Sequence, residues 1–162
     1  MNKPQLKVFV YGTLKSGYQN HQRYCRGVVR VEKADLFGRL YDMGVGYPAL
    51  ELPPEAILAT GTADHLADIH IQAEFTAKHE SWRPIIRPTG GWGLIHGEVL
   101  TFNYPAEQFA GMDHLEGYRP GSRCLYQRVL TVARWNGATA PVWAYVMENL
   151  GGARRIFEGD WM

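Results

Sequence analysis

The chain is short of the features that mark most specialised protein classes. It holds 2 cysteines in 162 residues, Cys25 and Cys124, far apart in sequence. They make neither a disulfide framework nor the close spacing of a zinc or redox site, so each reads as a plain thiol. Charge of one sign is also missing: 17 Lys and Arg face 16 Asp and Glu, a formal net charge of +1. That balance gives no electrostatic reason to expect nucleic acid or an anionic membrane as a partner, and the pair Arg154-Arg155 is too short a basic run to change it. No stretch approaches the roughly 20 apolar residues that span a bilayer. The strand after Met1-Asn2-Lys3-Pro4 is too short for a signal-peptide core, which makes a cytoplasmic protein the expectation. Repeats and low-complexity segments are absent, and no Gly-x-Ser-x-Gly elbow points to a serine hydrolase of that type.

What is present describes an ordinary globular core. Hydrophobic residues make up 46% and aromatics 12% of the chain. The length suits one domain over residues 1–162, able to bury roughly two-thirds of its unfolded surface without staples. Strands are expected at Leu6–Tyr11, Asp35–Tyr41, Ile95–Phe102, Leu125–Arg134 and Pro141–Met147, from short β-rich or alternating runs. Two helices are expected, a weak one at Gln19–Arg26 and a firmer one at Ala106–Glu116. The second has Pro105 suited to a first helical position and Gly117 just past its end. Residues 51–93 open and close on Pro- and Gly-rich turns around a polar, His-containing stretch. They read as a long excursion between strands, too short to hold a core of their own. Strands outnumber helices, so the class is α+β with a small mixed sheet that can close into a barrel.

Three constellations bear on chemistry. The first is Tyr11-Gly12-Thr13-Leu14-Lys15-Ser16-Gly17, where a strand runs into a Gly-flanked loop. The Gly12 to Gly17 spacing imitates a phosphate-binding loop, but Tyr18 and Gln19 stand where Lys and Ser/Thr are needed, which argues against ATP or GTP. The loop is either a tight turn or a cradle whose amides face a carboxylate or a developing oxyanion. The second is Glu116. On a helix, Phe109, Met112 and Glu116 share one stripe with Ala106 beside it. A carboxyl aimed at the core is desolvated and sits at the negative end of the helix dipole, and both effects raise its pKa toward that of a general base. The alternative is that Glu116 frays into solvent. Asp113 is the rival carboxylate, as a second acid or a group that orients a neighbour, and Glu98 is a minor candidate on a strand face that points to solvent. The third is the histidine set. Asp64-His65 and Asp68-x-His70 look like ligand pairs, but their spacing matches no standard site, and no metal is expected.

In order along the chain, Val8-Phe9-Val10-Tyr11-Gly12-Thr13-Leu14, Gly38-Arg39-Leu40-Tyr41-Asp42 with Gly46-Tyr47-Pro48-Ala49, Gly97-Glu98-Val99-Leu100, Met112-Asp113-His114-Leu115-Glu116-Gly117-Tyr118 and Gly159-Asp160-Trp161 together resemble the γ-glutamylcyclotransferase-like, or AIG2-like, family. Met112 stands where the family usually has Leu, a mild change in packing. The resemblance spans nearly the whole chain apart from residues 51–93. It implies a small mixed barrel and release of 5-oxoproline from a small-molecule γ-glutamyl substrate, without a metal or organic cofactor. It also implies Glu116 as the acid/base and Tyr11, Gly12, Thr13 and Leu14 as substrate-binding residues. The alternative is a non-catalytic binding or interaction module on the same fold.

Overall fold

The computed structural model describes residues 5–103, 105–119, 126–147, 150 and 152–161, with the backbone alone at 105–108. Cys124, Leu125 and Met1–Pro4 lie outside the described residues. The elements in order are β1 (Leu6–Val10), α1 (Gln19–Tyr24), β2 (Val28–Asp42), β3 (Pro48–Glu51), β4 (Ala59–Thr60), α2 (His65–Lys78), β5 (Gly93–Phe102), α3 (Pro105–Glu116), β6 (Gln127–Trp135), β7 (Ala138–Val146) and β8 (Arg154–Arg155).

The strands pair in the order β3-β2-β5-β1-β7-β6-β4, with β8 on β2. The pairing of β1 with β7 is parallel and the others are antiparallel. A further pairing, Asp35 with Arg134, joins β2 to β6 and closes β2-β5-β1-β7-β6 into a ring. The fold is therefore the mixed sheet with few helices that the strand-rich pattern predicts.

β1 explains how the core divides. Its side chains alternate between two apolar clusters, as a strand's must. Leu6, Val8 and Val10 pack with Phe109, Met112 and Trp143 on the helical side. Phe9 joins Leu36, Ile95, Val99 and Val142 in the other cluster. A strand buried on both faces reads as a continuous apolar run, which is why β1 stands out in the sequence.

The structure departs from expectation in several places, among them three short strands the sequence did not suggest, β3, β4 and β8. β2 starts at Val28 rather than Asp35, because its first half is largely exposed and charged while its backbone still pairs with β5. β7 starts at Ala138, because Asn136 and Gly137 both take positive φ, 53° and 73°, and make a two-residue hairpin turn from β6. Most consequential is α2, a 14-residue helix inside the 51–93 excursion. The Asp64 side chain caps it by accepting from Ala67 N–H. Its buried residues are Asp68, Ile69 and Gln72, so polar groups interrupt the apolar stripe that would betray it. Gln72 is used fully, donating to Lys7 O and Pro141 O and accepting from Lys7 N–H. Among the described residues no helix is long and apolar enough to cross a membrane.

Candidate active site

The last turn of α3 is set by its cap. Gly117 takes φ +67°. Gly117 N–H donates to His114 O at 3.2 Å and Tyr118 N–H to Asp113 O at 2.9 Å, the paired bonds of a Schellman motif. The side chain of Tyr118 continues inward and its hydroxyl donates to Gly61 O. Glu116 is thus the final residue of a helix whose end is fixed by backbone bonds, and it does not fray into solvent.

A β-turn closed by Lys15 N–H on Gly12 O, 3.0 Å, follows β1. That bond engages neither the N–H of Thr13 nor that of Leu14. Side chains pin the turn from behind: Asn20 donates to Thr13 Oγ1 at 2.8 Å, and His21 Nδ1 lies 2.8 Å from Leu14 O. Ahead of it, Ser16 gives both its N–H and its hydroxyl to the two oxygens of Glu98, each at 2.6 Å. Glu98 therefore clamps the loop and is not left to solvent. Lys15 reaches the tail, donating to Asp160 Oδ1 at 3.1 Å and Trp161 O at 2.8 Å.

The two halves meet. Tyr11, Gly12, Thr13 and Leu14 line the same recess as Glu116, a cavity of about 40 Å³ whose other walls include Tyr47, Pro48, Tyr126 and Tyr145. Burial pushes the Glu116 carboxyl up from 4.5 to about 7. The same burial holds the phenols of Tyr11, Tyr126 and Tyr145 protonated, with the Glu116 charge adding to it. The three hydroxyls donate to fixed acceptors, Tyr145 O, Pro48 O and Asp113 Oδ1, each at 2.6 Å. Among the described residues no Lys or Arg lines the recess, and Glu116 is the one formally charged side chain in its walls. Such a group can take and return a proton near neutral pH.

Asp113 is otherwise engaged. Its carboxylate accepts from Arg128 Nε at 2.8 Å and Nη2 at 3.1 Å and lies 2.7 Å from His65 Nε2. The Arg128 guanidinium also binds Asp68 Oδ2 at 2.9 Å and Thr62 O at 3.0 Å, and stacks 3.9 Å from the Phe109 ring centroid. Burial works against this charge and is the largest single effect, but Asp113, Tyr145 and Asp68 together outweigh it and keep the guanidinium protonated. Asp113 is therefore an orienting group and not a free second acid. His65 is part of this cluster, and His79 meets Thr139 Oγ1 at 2.7 Å. Cys25 is buried with its thiol pushed up to about 12 by desolvation, an unreactive state.

Nothing in the sequence marks Tyr126, Tyr145 or Arg128: Arg128 and Tyr145 come from strands β6 and β7, and Tyr126 sits just before β6. Pro48 had a signal in Gly46-Tyr47-Pro48-Ala49, and the structure shows its use. A Cβ on Gly12 would lie 2.9 Å from Pro48 Cδ and Cγ. Only glycine lets the turn approach that wall. Gly12→Val should displace Pro48 and weaken substrate or product binding by roughly tenfold or more while the protein still folds. Titration of 5-oxoproline by calorimetry would check this, and wild-type affinity in the variant would remove Gly12 from the site.

The closed mixed sheet defines a class of fold seen in several solved proteins. YkqA from Bacillus subtilis superposes with a TM-score of 0.53 at 18% identity, covering 97% of this chain and 39% of that one. The uropathogenic E. coli-specific protein c4763 gives a TM-score of 0.53 at 17% identity, covering 98% and 94% of the two chains. A mouse AIG2-like protein gives 0.50 at 16% identity, covering 90% and 79%. At these identities the likeness is one of fold. The family model described as gamma-glutamyl cyclotransferase, AIG2-like, matches residues 8–73 and 58–162, and the chain belongs to that family. A gamma-L-glutamyl-butirosin B gamma-glutamyl cyclotransferase from Niallia circulans is 40% identical over 50 residues, which is 31% of this chain and 32% of that enzyme. The match thus spans about a third of that relative's length.

Proposed function

We propose that this chain is a γ-glutamylcyclotransferase that releases 5-oxoproline from a γ-glutamyl amine, amino acid or peptide, with Glu116 as acid/base and Tyr11, Gly12, Thr13 and Leu14 binding the substrate. The observation that carries this is the meeting of Glu116, raised to about 7, and the post-β1 turn in one recess. Family membership supports the reaction type.

The chemistry follows from those groups. Glu116 takes a proton from the α-ammonium. The freed nitrogen attacks the γ-carbonyl carbon of the same molecule, forming the ring C–N bond and placing negative charge on the carbonyl oxygen. Holding the chain folded for this attack is worth about 7–11 kcal/mol at best. The Thr13 and Leu14 amides face the oxyanion, each well-placed donor worth about 3 kcal/mol. The intermediate collapses by breaking the bond to the leaving amine, which takes the Glu116 proton. The ring nitrogen gives up a second proton, so both protons lost by the ammonium end on the released amine.

The test is a panel of γ-glutamyl amines, amino acids and peptides, with γ-L-glutamyl-butirosin B included because the Niallia relative is named for it. Release of 5-oxoproline and free amine in equal amounts is expected from at least one. Binding without release across the panel would favour a non-catalytic module instead.

A further inference from the structure

Tyr145 is bonded to both halves of the recess at once. From β7 its hydroxyl donates to Asp113 Oδ1 at 2.6 Å, and its backbone carbonyl accepts the Tyr11 hydroxyl, also at 2.6 Å. Asp113 lies three residues before Glu116 on α3, hence about one helical turn away on a rigid rod. Tyr11 leads directly into the Gly12–Lys15 turn. One residue therefore touches the helix that carries the carboxyl and the strand exit that carries the amides.

We propose that Tyr145 is a positioning residue that sets the separation between Glu116 and the Thr13 and Leu14 amides. This rests on the reading of the recess given above. Three observations make the link stiff. Asp113 is held on its other sides by Arg128 from β6 and His65 from α2, so it is a fixed anchor. Tyr145 and Tyr11 are 3% and 6% exposed, so no bulk water stands ready to replace either bond. Both phenols are held protonated by burial and stay donors across the working pH range. The direction of the bonds matters too. The Tyr145 hydroxyl donates its hydrogen bond to Asp113, which is not among the recess-lining residues, so it orients the site without acting as an acid. The placement also gives the 51–93 excursion a purpose: through His65 and Asp68, α2 braces the anchor from outside.

Tyr145→Phe cuts the tie to α3 and keeps the carbonyl. Tyr11→Phe cuts the tie to the strand exit and keeps the rest. Each is expected to lower kcat about tenfold, and for Tyr145→Phe KM should stay within about twofold, the pattern of a misplaced group rather than lost binding. Because the two bonds act in series, the double variant should also lose about tenfold and not the hundredfold that independent effects predict. Multiplying losses, or thermal melts that fall while kcat holds, would overturn the proposal. A second arm needs no turnover. In amide spectra of the unliganded protein, Tyr145→Phe should shift Thr13 and Leu14, although the deleted hydroxyl bonds on the α3 side. Shifts confined to the surroundings of Asp113 would sink the bridge. If wild type releases no 5-oxoproline, the cyclotransferase reading fails while the spectra still decide this proposal.

Discussion

Glu116→Gln is expected to abolish 5-oxoproline release and, above neutral pH, to make the protein more stable than wild type. The two effects share one cause. The recess desolvates the carboxyl and raises it from 4.5 to about 7. A carboxylate raised on folding favours the native state fully below its unfolded value, and that contribution disappears as pH climbs through about 7, where the folded group ionises. At about 1.4 kcal/mol per unit, the burden on wild type at pH 8 is up to about 3 kcal/mol. Gln keeps the shape and never ionises, so it escapes that burden. For a chain of this size the melting temperature should rise by roughly 6–10 °C at pH 8, and the advantage should vanish near pH 4. Wild-type kcat/KM should fall as pH drops below about 7, because the base is then protonated. Melts across pH 4–8.5 on both proteins, with a 5-oxoproline assay, check the set. Coincident melts at pH 8 would show that the carboxyl is well solvated, and turnover by the variant would exclude it as the base.

Arg128→Met should cost about 3–5 kcal/mol of stability, the range for breaking a buried ion pair from one side. Arg128 is fully buried and is the cation facing Asp68 and Asp113, which are themselves 0% and 6% exposed. Removing it takes the guanidinium from two buried carboxylates, leaving Asp113 to His65 and Tyr145 and Asp68 to Thr62, and also removes the stacking on Phe109, Tyr118 and Trp143. Arg128→Met combined with Asp68→Asn and Asp113→Asn should recover much of the loss, since neutral groups replace the whole cluster. Urea melts at pH 7.5 measure each variant. A loss under about 1 kcal/mol for Arg128→Met, the range of exposed pairs, would show that the cluster is hydrated.

These two residues also mark where the sequence was legible and where it was not. Glu116 was readable because local rules converge on it: an apolar stripe through Phe109 and Met112, Pro105 at the helix start and Gly117 at its cap. β1 was readable because it is buried on both faces. Arg128 was not, since a charged residue on an alternating strand ordinarily faces water, and its partners Asp68 and Asp113 come from two helices. The same blindness hid α2, whose inward face carries Asp68 and Gln72 where periodicity looks for Leu or Val. Tyr145 was invisible as a site residue because its importance lies in joining Asp113 to Tyr11, a relation among three distant positions.

The strand order has a consequence for how the chain is made. β1 sits between β5 and β7, so its pairing partners begin 83 positions beyond its end, at Gly93. At a synthesis rate of roughly 5–20 residues per second, this apolar segment waits several seconds on the ribosome with no strand to receive it. Among the described strands, β2 and β3 are the pair whose two members are both made before β5. Folding of such non-local pairings falls in the slow, millisecond-to-second class. The nascent chain therefore exposes this apolar segment throughout that wait, and aggregation during expression should ease when the temperature is lowered, because hydrophobic association weakens on cooling.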